Sequence, residues 1–216
     1  VLHTPITDVE RLKFDIIGQL ENIERTDKVV IVIDSIGNLA SKKELEDAIN
    51  EKSVTDMSRA KALKGLFRMI TPYLTMRDVP LLAVNHTYMS LEMFSKATVS
   101  GGTGIYYSAD NIWIIGRQQD KQGTEIKGYH FIVNIEKSRF VREKSKVPIS
   151  VSWEGGIERW SGLLDVGLAG NYVAKPSNGW YCRVDRSTGE LVDPKFREKD
   201  TLTEEFWKPI LNDTDF

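Results

Sequence analysis

An acid and a hydroxyl, Asp34-Ser35, close the apolar run Val29-Val30-Ile31-Val32-Ile33. At the carboxyl end of a strand such a pair can hold a Mg2+-bound water or help polarise an attacking one, which is the chemistry of phosphoryl transfer. Asn85-His86 close a second apolar run, Val79 to Val84. A polar pair there could sense a γ-phosphate by donating a hydrogen bond to it. Gly101, Gly102 and Gly104, set around Thr103, free the backbone to offer N–H groups to a phosphate. Met93 and Phe94, with Lys96 close by, could stack on bases or wedge between them. Lys137 and Arg139 alternate at the end of a third run, followed by Arg142, Lys144 and Lys146. Two cations so placed could stabilise charge on a triphosphate held by a neighbouring subunit.

Each of these features has a plainer alternative. A strand-end Asp can simply cap a turn. His86 can be a satisfied structural histidine, and a glycine run occurs in any surface loop. A basic run is most often a solvated hairpin. Trp153, Trp160, Trp180 and Tyr181 read as packing residues, His3 and His130 as incidental, and Cys182 as inert.

The elements that must position these residues alternate in period. Runs apolar on both faces predict strands covered by helices on both sides, as in parallel α/β sheets, where ligands bind beyond the strands' carboxyl ends. The stripe Val9, Leu12, Ile16, Leu20, Ile23 predicts one helix, and Ala60, Leu63, Phe67, Ile70, Leu74 another, with Pro72 expected to kink or shorten its end. The stretch Ser41 to Asp56 shows no strong period. Tyr88 to Asp110 reads as a loop too long for an ordinary connection. Strands are expected at Ile112–Gly116, Phe131–Ile135 and Val147–Trp153, then a short helix from Leu163 to Gly170. The expected fold is α/β, with a mixed, mostly parallel sheet flanked by helices and antiparallel hairpins at one edge.

Composition narrows the function classes. The 216 residues are 41% hydrophobic and 28% charged, in the range of a globular α/β domain with a small appendage. A net charge of −2 excludes a global basic field, so any DNA contact must come from local patches. One cysteine excludes an internal disulfide and argues against a zinc site. No apolar run approaches a membrane span, and no signal peptide is visible.

Taken in order, these residues resemble the RecA-type strand-exchange recombinases, most closely the phage UvsX branch. The stretches that carry the resemblance are VVIVIDSIGNLASKKE (29–44), LLAVNHTYMSLEMFSK (81–96), GGTGIYYSAD (101–110), NIEKSRFVREKSK (134–146), GGIERWSGLLDVGL (155–168) and NGWY (178–181). The resemblance implies a RecA-like P-loop NTPase core in 1–160 and a core-closing helix with the start of a C-terminal region in 161–216. By the same resemblance Asp34 is the Walker B aspartate, binding Mg2+ through water beside Ser35, and His86 is the nucleotide-sensing residue. His replaces the Gln frequent in bacterial members. Lys137 and Arg139 match the pair that reaches ATP across the filament interface. The DNA-binding positions implied are Met93, Phe94, Lys96, Gly101, Gly102 and Thr103, together with Arg59 and Lys61 on a looser alignment.

One departure stands out. The chain contains no G-x-x-x-x-G-K-[ST] phosphate loop, nor the family's catalytic glutamate. The order of motifs places both upstream of Val1, so a fragment of a longer recombinase is expected, inactive as an ATPase by itself. The function implied for the whole protein is ATP-dependent homologous recombination and repair. It would form filaments on single-stranded DNA and exchange strands with a homologous duplex, assisted by phage mediator and single-strand-binding proteins in the bacterial cytoplasm. The alternatives are a non-catalytic recombinase paralogue that binds DNA or filaments, and a hexameric motor on the same core.

Overall fold

Val9, Leu12, Ile16 and Leu20 recur every three or four residues and become the buried face of α1 (Val9–Asn22). Asp8 starts this helix by accepting the backbone N–H of Arg11 at 2.8 Å. The computed structural model describes residues 1–51, 57–89, 97–122 and 125–212. They divide into two compact units, Val1–Asp110 and Asn111–Phe216. The division expected at 160/161 falls inside the second.

In the first unit, β1 (Ile31–Ile33) leads through a short 3-10 turn to α2 (Lys42–Ile49) and then α3 (Ser58–Arg77). The start of α2 is a capping box. Ser41 accepts the Glu44 N–H, while Glu44 accepts the Ser41 N–H at 2.6 Å. This helix was not expected, although S-x-x-E marks its beginning in the sequence. The helix α3 runs through Pro72 to Arg77, so the proline does not shorten it. Thr71 and Thr75 donate to the carbonyls four residues back, Phe67 and Thr71, on either side of the ring.

Next, β2 (Leu81–Ala83) pairs in parallel with β1, Ile31 opposite Leu81 and Ile33 opposite Ala83. Ile33 joins Leu12, Ile16, Leu63, Leu66 and Ile70 in one apolar cluster. The pleat sends alternate residues the other way, and Val32 and Leu82 are 60% and 57% exposed. The expected α/β character is met, and the mostly parallel sheet only in small part. Among the described strands the only parallel pairing is this one, three residues on each side, with helices on one face. The short hairpin of β3 (Thr87–Met89) and β4 (Ala97–Val99) and the helix α4 (Thr103–Ser108) complete the unit. They occupy much of what reads in sequence as one long loop.

The second unit is antiparallel. β5 (Asn111–Gln122), β6 (Glu125–Ser138), β7 (Lys146–Ser152) and β8 (Gly156–Ile157) form one sheet in chain order. β5 and β6 are far longer than the sequence suggested. After α5 (Leu163–Ala169), the strands β9 (Val173–Ser177), β10 (Trp180–Val184) and β11 (Leu191–Arg197) make a sheet ordered β11-β10-β9, closed by α6 (Glu204–Leu211). Its core is Tyr172, Val173, Tyr181, Phe206, Trp207 and Ile210. Gly167 faces it without a side chain; a Cβ there would lie 2.9 Å from Val173 and 3.2 Å from the Trp207 ring. Of the expected packing aromatics, Tyr181 is buried, whereas Trp153 is exposed and stacks edge-on against Tyr129 at 5.2 Å.

Two stability outcomes follow from these contacts. Trp207 is fully buried beside Phe206, so Trp207→Ala is expected to cost about 3–5 kcal/mol, read as a lower urea midpoint of the second unit. Burial opposes ionisation of Asp8, but the Arg11 N–H and the Thr7 hydroxyl outweigh it and hold the carboxyl below its ordinary range. Asp8→Ala should then cost about 1 kcal/mol at neutral pH. Because the folded pKa is depressed, this difference is present above the unfolded value near 4 and disappears as pH falls through the folded one. Urea titrations of both proteins at pH 7 and pH 3 check it.

Candidate functional site

Because β1 and β2 are parallel neighbours, the residues that follow them emerge at the same edge. Asp34 and Ser35, joined by a cis peptide bond, follow β1; Asn85 and His86 follow β2. Backbone bonds tie the two exits together. The Val84 N–H donates to Ile33 O at 2.9 Å, and the Ile36 N–H donates to Val84 O at 3.0 Å. Asp34 and His86 are exposed and Ser35 is half-buried. The turn Ile36–Asn38 then lies directly against the His86 ring. A Cβ on Gly37 would overlap its Cδ2, so any larger residue there would displace the ring.

Arg59 and Lys61 lie at the start of α3 but differ in surroundings. Lys61 is exposed. The Arg59 guanidinium is engaged by the first unit itself: Nε donates to Leu39 O at 2.7 Å, and Nη2 to Ile36 O and Gly37 O, each at 2.9 Å. Nη1 reaches Ser100 Oγ at 3.4 Å. Nearby, the Ser41 and Ser58 hydroxyls share a 2.6 Å bond that fastens the start of α2 to that of α3.

The β3–β4 hairpin begins at the residue after His86. Its base is braced by Ser100, whose N–H donates to His86 O at 2.9 Å and whose carbonyl accepts Asn85 Nδ2 at 2.8 Å. The Asn85 side chain also accepts the His86 N–H at 2.9 Å. Met93, Phe94 and Lys96, expected to meet bases, lie outside the described residues. Of the glycines, Gly101 and Gly102 have φ of +94° and +82°. Gly101 and Gly104 back onto α3: a Cβ would sit 2.9 Å from Leu63 Cδ1 in one case and 2.7 Å from Lys64 Cβ in the other. The run therefore serves close packing as well as backbone freedom. Gly102 and Thr103 remain exposed at the start of α4.

In the second unit, Lys137 is half-buried near the end of β6, opposite Ile112, and Arg139 is exposed just beyond the strand. Ser138 holds this end. Its hydroxyl donates to Asn111 Oδ1 at 2.7 Å and accepts the N–H groups of Phe140 and Val141, each at 3.1 Å. Among the described residues, no three His, Cys, Asp or Glu side chains gather to hold a metal. No described helix is long and apolar enough to cross a membrane. Sequence reasoning missed Ser100 and the bracing role of Asn85. Their contacts join positions 14 or 15 apart through a hairpin, which no local motif announces.

Comparison with known proteins gives these positions a context. Residues 160–216 match the family model described as the C-terminal domain of the bacteriophage T4 recombination and repair protein. The recombination and repair protein of enterobacteria phage T4 is 52% identical over the whole chain, which covers 56% of it. Protein RecA of Tropheryma whipplei is 27% identical over 74% of the chain and 37% of its own length. Protein RecA of Porphyromonas gingivalis is 24% identical over 84% and 54%. The chain thus spans about half the length of the curated relatives it matches, or less. Half of the chain's residues, from end to end, are thus identical to those of the phage T4 recombination and repair protein, and the RecA proteins are similar to it at a greater distance.

Proposed function

We propose that the protein carrying this chain is an ATP-dependent recombinase that assembles on single-stranded DNA, pairs it with a homologous duplex and exchanges strands. The observation that carries this reading is the 52% identity to the phage T4 recombination and repair protein, sustained over the whole chain. The geometry supports it: the exits bearing Asp34 and His86 are bonded to each other, and the one bearing His86 runs directly into the hairpin whose connecting residues include Met93, Phe94 and Lys96. The chain would be the larger part of a RecA-like ATPase core with the start of a C-terminal region.

ATP and Mg2+ suit the residues present. An exposed carboxylate beside a hydroxyl offers the hard oxygen ligands that Mg2+ takes, usually with waters and phosphates completing its shell. When bound, Mg2+ neutralises charge on the phosphates. Asp34, with Ser35, would hold one of its waters. His86 would donate to the γ-phosphate, and Lys137 and Arg139 of a neighbouring copy would offset charge developing in phosphoryl transfer. Copies related head to tail build an open helical filament, which allows one copy to complete the next copy's site. Release of phosphate from His86 would loosen the hairpin and let DNA go, a switch between order and disorder.

DNA would be held at Lys61, Met93, Phe94, Lys96, Gly101, Gly102 and Thr103 through backbone and stacking contacts, nearly independent of sequence and sensitive to salt. Phage mediator and single-strand-binding proteins are the proposed partners, and the bacterial host cytoplasm the proposed place.

Three substitutions test the reading in the protein that carries this chain. His86→Ala should reduce DNA-stimulated ATP hydrolysis on the order of 100-fold by removing a donor to the transferring phosphate, while single-stranded DNA binding without nucleotide persists. Lys137→Ala should lower hydrolysis in the filament by a similar order, and an unchanged steady-state rate would remove it from the interface. Phe94→Ala should weaken binding to an oligothymidine by about 1–3 kcal/mol in fluorescence anisotropy, with the thermal melt unchanged.

A further inference from the structure

We infer that Arg59 is a positioning residue that couples the nucleotide edge to the DNA-facing hairpin, rather than a phosphate contact. The inference rests on the recombinase reading above and assigns a further part within it. Three carbonyls of one short segment, Ile36, Gly37 and Leu39, accept from its guanidinium at 2.7 to 2.9 Å. That segment begins two residues after Asp34 and packs against the His86 ring at Gly37. The remaining edge of the guanidinium reaches the Ser100 hydroxyl. Ser100 in turn is bonded through its backbone to both Asn85 and His86, and it directly follows β4.

One rigid, planar group therefore touches the turn behind Asp34 on one side and the base of the hairpin on the other. A planar fork with fixed donor directions transmits a displacement between its acceptors, whereas a flexible ammonium follows one of them only. A shift of His86 toward or away from a γ-phosphate would press on Gly37. Through Arg59 and Ser100 that movement would be passed to both ends of the hairpin. Four donor contacts directed at the protein's own oxygens leave the guanidinium poorly placed to serve DNA phosphates. Lys61, exposed two residues on, retains that part of the proposal.

The test compares single-stranded DNA affinity in two nucleotide states, with a slowly hydrolysed ATP analogue and with ADP, for wild type, Arg59→Gln, Arg59→Lys and Ser100→Ala. Binding is read by fluorescence anisotropy of an oligothymidine and folding by thermal melts. Wild type should bind about 5- to 150-fold more tightly in the ATP state, the usual range of coupling between sites. Both Arg59 variants should bring that ratio toward one, and Ser100→Ala should lower it about 3-fold, within the same coupling scale.

Recovery of the full ratio by Arg59→Lys would overturn the inference, because charge alone would then suffice. So would an equal loss of affinity in both states with a salt slope shallower by about one, the mark of a phosphate contact. An unchanged ratio in folded Arg59→Gln would overturn it as well. If neither Arg59 variant folds, Ser100→Ala decides: a lowered ratio supports the coupling and an unchanged one removes it. A wild-type ratio near one would refute the nucleotide-gated reading itself, which separates that failure from failure of Arg59 alone.

Discussion

The carbonyl oxygens of Ile36, Gly37 and Leu39 converge on a single guanidinium, and the edge of β1 that carries Asp34 is held in place by that convergence. A part-buried carbonyl deprived of its donor costs about 1–3 kcal/mol, and more where the lost donor is charged. No neutral side chain at position 59 could reach three of them at once. The turn is thereby fastened to α3, and His86 is packed against it at a residue where a Cβ would displace the ring.

Everything beneath this turn serves to make α3 a firm base. The apolar faces of α1 and α3 share a cluster with Ile33, so the strand that ends in Asp34 is anchored on the same helix that supplies Arg59. The glycines after β4 extend the arrangement. Gly101 and Gly104 let the chain come down onto Leu63 and Lys64, which brings Ser100 within reach of Arg59. Small residues here act through what they leave out, permitting approaches that any side chain would hold apart.

The second unit solves its positioning problem by length of ladder. β5 and β6 pair over nearly their whole extent, so Lys137 and Arg139 are presented at the end of a long antiparallel ribbon whose last turn Ser138 closes. The family-model region contains the core around Trp207 and a set of cations leaning on aromatic faces, Arg197 over Trp180 at 4.0 Å and Arg186 over Tyr172 at 4.4 Å. Such stacking keeps the charge at the surface while the ring is shielded.

The amino-acid sequence by itself determined the two amphipathic helices, the apolar strands and the residue types at their ends. These are encoded by local periodicity, which is repeated every few residues and survives without tertiary context. The resemblance to the recombinases also lies in the sequence, because order and spacing of its motifs over the whole length constrain far more than any one motif. The start of α2 was equally legible in Ser41 and Glu44, though the weak period beyond it concealed the helix. Only the tertiary structure decided what Arg59, Asn85, Ser100 and Gly37 do. Their partners lie 14 to 49 positions away, and a donor's direction is set by which elements pack around it. The same is true of the sheets: an apolar run announces a strand, but its neighbours and its covered face are chosen by packing, which acts between segments and leaves no local mark.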